Sequence, residues 1–260
     1  MLILFTSSNS ASKNIADKLV SLGFRSVGAN EWELKGVRML DTRSETVLDM
    51  PTNLESDCLL ILSSHKSKNP LPMLTVHFPG NWLEAGMGGK NGTLNFAYAS
   101  KLKQLYLALK ETNSRTGLNW EVCIEADHHG PAMENKTPMI FIEIGSSEKE
   151  WDDPKAGETV ASAIVNSLLS PNSSRAFFGA GGGHYSREFC KLINSSEWAV
   201  GHILPKYGID EVGEDTLEQA IAKSVEKVEK VVMLKDSTNL KQKEKIRKFC
   251  EKKGLACEEI

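Results

Sequence analysis

The sequence predicts an α/β protein whose mixed sheet is mostly parallel and covered on both faces. Short apolar segments rich in β-formers alternate with segments of helical periodicity along nearly the whole chain. Most strand segments are apolar throughout, which is typical of strands buried on both faces. Helices between consecutive strands favour parallel pairing, because a parallel neighbour needs a crossover connection. No repeat, low-complexity segment or long linker divides the chain, so we expect a single domain over residues 1–260.

The elements of the first half follow from apolar spacing and helix-ending residues. The first helix begins after the capping residues Ser8 to Ser10 and stops at Gly23. A later helix has an apolar face spaced four, three and four residues apart, from Tyr98 to Leu109. In order we predict a strand at 2–6, a helix ending at 23, strands at 37–40, 58–62 and 74–78, a glycine-rich loop at 80–92 and a helix at 94–111.

The second half repeats this alternation. Pro171 limits one helix at its C-terminal end, because proline cannot continue a helical hydrogen-bond pattern. We predict strands at 120–124 and 139–142, a helix at 155–169, a strand at 176–178, a helix at 187–193, a strand at 199–204, a helix at 215–228, a strand at 230–234 and a helix at 239–253.

Composition excludes several classes of protein. The 260 residues are 40% hydrophobic and 25% charged with a net charge of −3, which excludes a disordered chain and disfavours nucleic-acid binding driven by total charge. From Lys223 to Lys253, however, eleven lysines and arginines stand against five acids. This segment is either a solvated helical face or a local phosphate-binding patch.

The sequence has no signal-peptide or membrane-spanning pattern, which favours the cytoplasm. No apolar run approaches the roughly 18 residues of a membrane span, and the N-terminus reads as a strand without the features of a signal peptide. The five cysteines are odd in number and form no Cys-x-x-Cys pair. Cys58 and Cys123 lie in apolar strands, where a buried thiol is expected. We therefore expect a cytoplasmic protein with no membrane association.

Histidine placement is the most informative feature of the chain. Five of the six histidines fall at or just after the end of a predicted strand, where open α/β sheets form their binding sites. They are His65, His77, His128, His129 and His184. The sixth, His202, lies inside a strand and is interpreted as a hydrogen-bonded structural residue.

Two carboxylates accompany these histidines. Asp127, with Glu125 nearby, precedes the adjacent pair His128 and His129, which makes a dense group of metal-ligand side chains. Glu143 lies inside the apolar run 141–145, where an unpaired carboxylate is costly. A central strand would favour a site role for Glu143, whereas an edge strand would make it an ordinary solvated residue.

The glycine-rich loops do not indicate a nucleotide cofactor. The run Gly179 to His184 ends in histidine where a dinucleotide fingerprint has glycine, and Gly88 to Asn91 lacks the Ser or Thr of a P-loop. No Gly-x-Ser-x-Gly elbow is present either. The backbone amides of the second loop could instead bind an oxyanion or the ribose-phosphate end of a substrate.

Five segments together give the chain a family resemblance. The segments are Ser63–Ser67, Leu74–Asn81, Asp127–Pro131, Phe141–Ser146 and Gly181–Tyr185. With these segments the sequence resembles the D-aminoacyl-tRNA deacylase family of the archaeal and plant type, from the first strand to about Tyr207. The resemblance implies a phosphorylase/hydrolase-like three-layer α/β/α fold, Zn²⁺ as cofactor, and hydrolysis of the ester between a D-amino acid and the 3′ end of tRNA, which recycles mischarged tRNA.

The hypothesis assigns each candidate residue a role. Zinc would activate a water for attack on the aminoacyl carbonyl, with a general base and with loop amides for the oxyanion. We expect a monomer that binds the 3′ acceptor end of D-aminoacyl-tRNA. The predicted metal ligands are His65, His77, Asp127, His128 and His184, the catalytic residues are His129 and Glu143, and the substrate contacts are Asn81, Gly181, Gly182, Gly183 and Tyr185.

Other functions remain open from the sequence. Another zinc-dependent hydrolase, such as a peptidase or amidase, would share the metal and differ in substrate. A non-enzymatic RNA-binding domain would use the histidines structurally and would tolerate His128→Ala. A nucleoside phosphorylase would need a phosphate pocket and phosphate-dependent turnover.

Overall fold

A computed structural model describes residues 1–68, 70–168 and 173–260 of the chain. The described residues contain both strands and helices, with strands predominating between α1 and α2. Up to residue 124 they are β1 (Leu2–Phe5), α1 (Ser10–Ser21), β2 (Arg25–Gly28), β3 (Glu31–Leu34), β4 (Val37–Asp41), β5 (Leu59–Lys66), β6 (Met73–His77), β7 (Gly80–Asn81), β8 (Thr93–Leu94), α2 (Ala99–Thr116) and β9 (Glu121–Ile124), with a 3₁₀ turn at Val47–Asp49.

The remaining elements alternate between strands and helices. They are β10 (Met139–Ser146), α3 (Glu148–Trp151), α4 (Pro154–Ser167), β11 (Arg175–Ala180), α5 (Arg187–Asn194), β12 (Trp198–Leu204), α6 (Lys206–Ile209), α7 (Glu214–Ala222), β13 (Val228–Met233), α8 (Leu240–Lys253) and β14 (Ala256–Glu259).

The chain divides into two compact units, and it passes between them several times. Unit 1 comprises Met1–Val76, Gln104–Cys123 and Met133–Pro171, and unit 2 comprises His77–Lys103, Ile124–Ala132 and Asn172–Ile260. The single-domain organisation expected from the sequence stays a prediction.

The first sheet has eight strands in the order β2-β3-β4-β1-β5-β10-β6-β9. Strand β1 is parallel to β4 and β5, and β5 is parallel to β10. Strand β3 pairs antiparallel with both β2 and β4. The sheet is therefore mixed, with parallel strands at its centre.

Helices α1 and α4 of unit 1 pack against each other beside this sheet. The side chain of Asn14 in α1 donates hydrogen bonds to the carbonyls of Trp151 and Asp153, at the start of α4. A Cβ atom on Gly157 would lie 2.1 Å from the side-chain oxygen Oδ1 of Asn14, so glycine allows the close approach of the two helices. Cys58 and Cys123 are buried as expected.

The second sheet, in unit 2, has four parallel strands in the order β12-β11-β13-β14. Phe178 on β11 joins an apolar cluster with α7 and α8, through residues such as Leu217 and Phe249. Its neighbour Phe177 packs on the other side against Phe189 of α5, with ring centroids 5.8 Å apart. Helices thus cover both faces of this sheet, and the α/β class with mostly parallel strands is confirmed.

Three predicted helix boundaries are wrong. Helix α2 begins at Ala99, not at 94, because residues 93–94 form β8 and Ala97 donates to the carbonyl of Lys223. Helix α7 ends at Ala222, not at 228, because Val228 starts β13 and pairs with Ala176 of β11. Tertiary pairing overrides local periodicity in these two places. Helix α2 also continues to Thr116, five residues beyond its predicted end at 111. The predicted end of the 155–169 helix lies outside the described residues.

Five strands were not predicted. Strands β7 and β8 are two residues long and pair with each other. Strands β2 and β3 are largely exposed or half-buried, and β14 is short and polar, so none of these three has the apolar signal of a buried strand. Each is defined by its hydrogen-bonded neighbour instead. Within the described residues, no helix combines the length and apolar character of a membrane span.

Candidate functional site

Three loops of unit 2 are joined by backbone hydrogen bonds. The amide of Gly80, just after β6, donates to the carbonyl of His128. The amide of Ala126 donates to the carbonyl of His184, in the loop between β11 and α5. The amide of Asp127 donates to the carbonyl of Ile203 on β12. Segments distant in sequence are therefore fixed side by side, with their histidines close together.

Three imidazoles form the centre of this site, which we call the histidine cluster: His77, His128 and His129. One ring nitrogen from each lies within 4.8 Å of the others, a grouping able to hold a metal ion. The Nε2 atoms of His77 and His129 are 3.1 Å apart.

Each imidazole of the cluster has its other nitrogen facing an oxygen. His77 Nδ1 lies 3.2 Å from Glu125 Oε2, His128 Nδ1 lies 2.9 Å from the Ala126 carbonyl, and His129 Nδ1 lies 2.5 Å from the Gly130 carbonyl. Metal-binding histidines characteristically donate the second N–H to a carboxylate or carbonyl, which fixes the tautomer and the ring orientation. All three rings are therefore oriented with Nε2 as the available ligand atom.

Glu125 is the carboxylate that faces the histidines. Its side chain is fully buried, and its oxygens lie 3.3 Å from His184 Nε2 and 3.8 Å from His128 Nε2, in addition to the contact with His77. A buried carboxylate is costly without such partners. Glu125 has no assigned role in the hypothesis drawn from the sequence, although an acid directly after a buried strand was a usable signal.

Asp127 is engaged through both carboxylate oxygens, and its role as a metal ligand stays a prediction. Its Oδ2 atom is 2.5 Å from Nδ1 of His202, and its Oδ1 atom accepts the amide of Ile203 at 3.0 Å. Burial raises the pKa of the Asp127 carboxyl, although His202 and the Ile203 amide oppose that shift. Both oxygens therefore anchor the 125–130 segment to β12. His202, whose Nε2 faces the Lys223 carbonyl, has the structural role expected for it.

Burial and nearby imidazoles keep His128 neutral. Burial, followed by the adjacent rings of His77 and His129, holds the pKa of His128 well below its ordinary value. A neutral imidazole is the form that binds metal. His129 adopts a left-handed φ of 47°, an uncommon conformation for a residue other than glycine.

The first glycine-rich loop packs closely against the 125–130 segment. Gly130 donates to the carbonyl of Met87, and a Cβ atom on Gly130 would lie 2.3 Å from the backbone nitrogen of Gly89. Asn81, a predicted substrate contact, donates through Nδ2 to the carbonyl of Gly88. Glycine therefore serves close backbone packing here, while the substrate role of Asn81 stays a prediction.

A cavity of about 360 Å³ opens beside the cluster, and we call it the histidine cavity. It is lined by Trp82, Asp127, His128, His129, Tyr207 and neighbouring residues of the 80–84 and 205–211 segments. Its volume is within the range of about 300–1,000 Å³ typical of ligand sites. The cluster therefore has room for a small substrate group.

Two backbone amides of the second glycine-rich loop already donate hydrogen bonds within the protein. The amide of Gly181 donates to the Leu204 carbonyl, and the amide of Gly182 donates to Ser237 Oγ. An oxyanion role for these two amides would need those bonds to break, so it stays a prediction, as does the role of Gly183. Tyr185 lies beside His184, with ring centroids 5.0 Å apart.

His65 and Glu143 belong to unit 1. Strand β10 lies between β5 and β6, so Glu143 is on a central strand, the case in which a site role was favoured. Its Oε2 atom lies 3.7 Å from His65 Nδ1 and accepts a hydrogen bond from Thr75. Both His65 and Glu143 are buried. Their predicted metal-binding and catalytic roles stay predictions.

The basic C-terminal segment is partly neutralised by ion pairs. Five of its eleven basic residues form ion pairs with glutamates, and the ammonium groups of Lys223 and Lys245 donate to backbone carbonyls. These contacts favour the interpretation of the segment as a solvated helical face over its interpretation as a phosphate-binding patch. The pairs are Lys230–Glu258, Lys243–Glu259, Arg247–Glu259, Lys252–Glu214 and Lys253–Glu218.

The fold and the cluster together define an α/β protein with a histidine-rich site of the kind used by hydrolases. The chain belongs to the D-aminoacyl-tRNA deacylase family, whose sequence pattern matches residues 52–258. It is 38% identical over 245 residues to the D-aminoacyl-tRNA deacylase of Pyrococcus abyssi, covering 88% of each chain. It is 34% identical over an alignment of 269 residues to that of Thermococcus kodakarensis, covering 97% of each.

A solved structure is also similar. It is the crystal structure of a conserved protein of unknown function, matched with a TM-score of 0.89 at 26% identity over 99% of this chain and 94% of that chain. This similarity supports the α/β fold along the whole chain.

Proposed function

We propose that this protein hydrolyses the ester between a D-amino acid and the 3′ end of tRNA. The observation that carries the proposal is the family match over residues 52–258, which contains every histidine of the chain. The relatives named D-aminoacyl-tRNA deacylase cover most of the chain at 34–38% identity. Release of the D-amino acid would return a mischarged tRNA to use.

We propose His77, His128 and His129 as the zinc ligands. Two nitrogens bound tetrahedrally to zinc at about 2.05 Å lie roughly 3.3 Å apart, and the 3.1 Å between His77 Nε2 and His129 Nε2 is close to that value. Three imidazoles are also a donor set that zinc prefers. A metal ion held there supplies Lewis acidity toward the ester carbonyl and makes a nearby water more acidic.

His184 and Glu125 are suited to move the proton. With His184 Nε2 directed at Glu125 Oε1, the Nδ1 atom is the one that takes the proton from the attacking water. The Glu125 carboxylate stabilises the imidazolium that forms. His184 is the more exposed member of the pair, with a third of its side chain accessible to solvent. This assignment differs from the predicted one, in which His184 binds metal and His129 or Glu143 is the base.

The decisive experiment compares the two enantiomers of one substrate. Transfer RNA charged with D-tyrosine or L-tyrosine is incubated with the protein before and after stringent chelation, and then after addition of zinc. We expect release of D-tyrosine only, loss of activity after chelation and recovery with zinc. Equal rates for the two enantiomers, or no release of either, would refute the proposed function.

The metal and the function are tested separately. Full activity after chelation would leave the deacylase function standing and remove zinc from it. His129→Ala should lose both bound zinc and activity. Lys149→Glu, an exposed substitution on α3, is the matched control and should retain both.

A further inference from the structure

Two cysteines of unit 2 lie side by side on neighbouring elements. Cys250 is on helix α8, and Cys257 is on strand β14, the next element along the chain. Both thiols are free, and a hydrogen bond links the two side chains. Cys250 is buried in an apolar cluster, and Cys257 is half-buried against the same cluster. The pair is therefore placed for chemistry that needs two thiols.

The alignment of α8 with β14 explains why these thiols meet. Side chains alternate along a strand, so Cys257 and Glu259 project from the same face of β14. Glu259 forms ion pairs with Lys243 and Arg247, so this face is directed at α8. Along the helix, Cys250 lies three residues beyond Arg247, a rise of about 4.5 Å. Along the strand, Cys257 lies two residues before Glu259, about 6.6 Å. Both steps lead toward the connection between the two elements, which brings the thiols together.

The connection itself directs the chain back past the helix. Gly254 ends α8 with a left-handed φ of 63°, and its amide donates to the Glu251 carbonyl. The amide of Leu255 donates to the carbonyl of Cys250 at 3.0 Å. Helices commonly end in such a turn, in which the left-handed residue is glycine. The backbone just before Cys257 is therefore hydrogen-bonded to the backbone of Cys250.

The two thiols differ in reactivity. The hydrogen bond from Cys250 and the charge of Arg247 lower the pKa of the Cys257 thiol, against the opposing effects of burial and Glu259. The same hydrogen bond, together with burial, raises the pKa of the Cys250 thiol. The thiolate is the nucleophile in thiol–disulfide exchange, and access to the thiol also sets the rate. Cys257 is therefore suited to attack an oxidant, and Cys250 to react second.

We propose that Cys250 and Cys257 form a redox-modification site, at which a low-molecular-weight disulfide such as oxidised glutathione converts the two thiols into an intramolecular disulfide. The Cys257 thiolate attacks one sulfur of the oxidant, forms a mixed disulfide and releases one glutathione thiolate. Cys250 then loses its proton and attacks the Cys257 sulfur, which releases the second glutathione. The protein loses two electrons and the oxidant gains them. The two protons from the cysteines are taken up by the two glutathione thiolates.

The disulfide attaches an edge strand to its helix. Strand β14 lies at the edge of the four-stranded sheet, beside β13. Its sequence, Ala-Cys-Glu-Glu, offers little apolar surface, so its attachment relies on the backbone pairing and on ion pairs. A covalent link to α8 slows the local opening of such a strand. In reducing compartments the disulfides that do form are usually transient or redox-sensing, so we expect this link to be reversible.

The test treats the folded full chain with oxidised glutathione, blocks the remaining thiols and digests the protein with trypsin in the absence of reductant. Lys252 and Lys253 lie between the two cysteines, so trypsin separates Cys250 from Cys257 unless a disulfide joins their peptides. We expect the joined peptide from the wild type and its loss after addition of dithiothreitol. Amide hydrogen exchange in β14 should be slower in the oxidised protein than in the reduced one.

Single variants separate the roles of the two thiols. Cys250→Ser should stop at a mixed disulfide between Cys257 and glutathione, because the second thiol is missing. Cys257→Ser should give neither the mixed disulfide nor the joined peptide, because the remaining thiol of Cys250 is buried. Cys58→Ala changes a buried thiol of unit 1 and is the matched control. It should form the joined peptide as the wild type does.

Three results would overturn the proposal. They are no joined peptide from the folded wild type at saturating oxidised glutathione, a mixed disulfide that persists at Cys257 of the wild type, and a joined peptide that forms only in denaturant. The site is independent of the proposed deacylase function, so its test needs no tRNA.

Discussion

The Nδ1 atom of His202 lies 2.5 Å from Oδ2 of Asp127, and both side chains are buried. This pair connects the segment that bears His128 and His129 to strand β12. The Ile203 amide, donated to the other carboxylate oxygen, strengthens the same connection. The geometry of the histidine cluster therefore depends on two residues that lie behind it.

Removing one member of that pair should destabilise the protein. His202→Ala leaves a buried carboxyl group without its hydrogen-bond partner, so we expect a loss of about 3 kcal/mol in the free energy of unfolding. Urea denaturation of the metal-free protein measures it. The double variant with Asp127→Asn should lose less than the sum of the single changes. If Asp127 served only as a metal ligand, Asp127→Asn would leave the stability of the metal-free protein unchanged.

Glu125 and His184 should separate metal binding from proton transfer. Glu125→Gln weakens the orientation of His77, so zinc affinity should fall by about 10- to 100-fold. His184→Ala should keep its zinc but lose roughly 100- to 10,000-fold in kcat, the usual contribution of a general base. Competition with a chelator and single-turnover deacylation report the two quantities. Loss of zinc in the His184 variant would return that residue to the ligand set.

The depressed pKa of His128 gives the metal-free protein a defined pH dependence. Because the folded state binds this proton more weakly than the unfolded chain, the stability present above pH 6.5 is lost as the pH falls toward the folded-state pKa. The His128 contribution to that slope approaches about 1.4 kcal/mol per pH unit. Urea unfolding between pH 8 and pH 5.5 should show a steeper decline for the wild type than for His128→Asn. An equal loss of stability in the two proteins would contradict the contribution of His128 to the pH dependence.

Glu226 caps helix α2 from a distant part of the sequence. Its carboxylate accepts the amides of Ala99 and Ser100 at 3.0 and 2.8 Å. Glu226→Ala should cost about 1–2 kcal/mol of stability, as for other helix caps. The matched control is Glu218→Ala, which removes an exposed ion pair with Lys253 and should cost less than about 1 kcal/mol. Equal losses in thermal or urea unfolding would argue against the cap.

The boundaries of α2 show where sequence reasoning stops. Apolar spacing identified the helix, because one face of it must be buried. The predicted start of the helix was wrong by five residues, because the carboxylate that caps it belongs to Glu226, 127 residues away from Ala99. The same limit applied to the site: strand ends predicted which histidines to examine, whereas the roles of Glu125 and Asp127 depend on which neighbours each carboxylate meets.

The sequence alone determined the α/β class, the positions of most strands and helices, and the family. These properties reside in local apolar patterns and in short motifs, which are continuous along the chain. Only the tertiary structure decided that the described strands divide among an eight-stranded, a four-stranded and a two-stranded sheet. It also decided that Glu125 faces the histidines while Asp127 anchors them. Those features arise from pairing between distant segments, which local patterns do not encode.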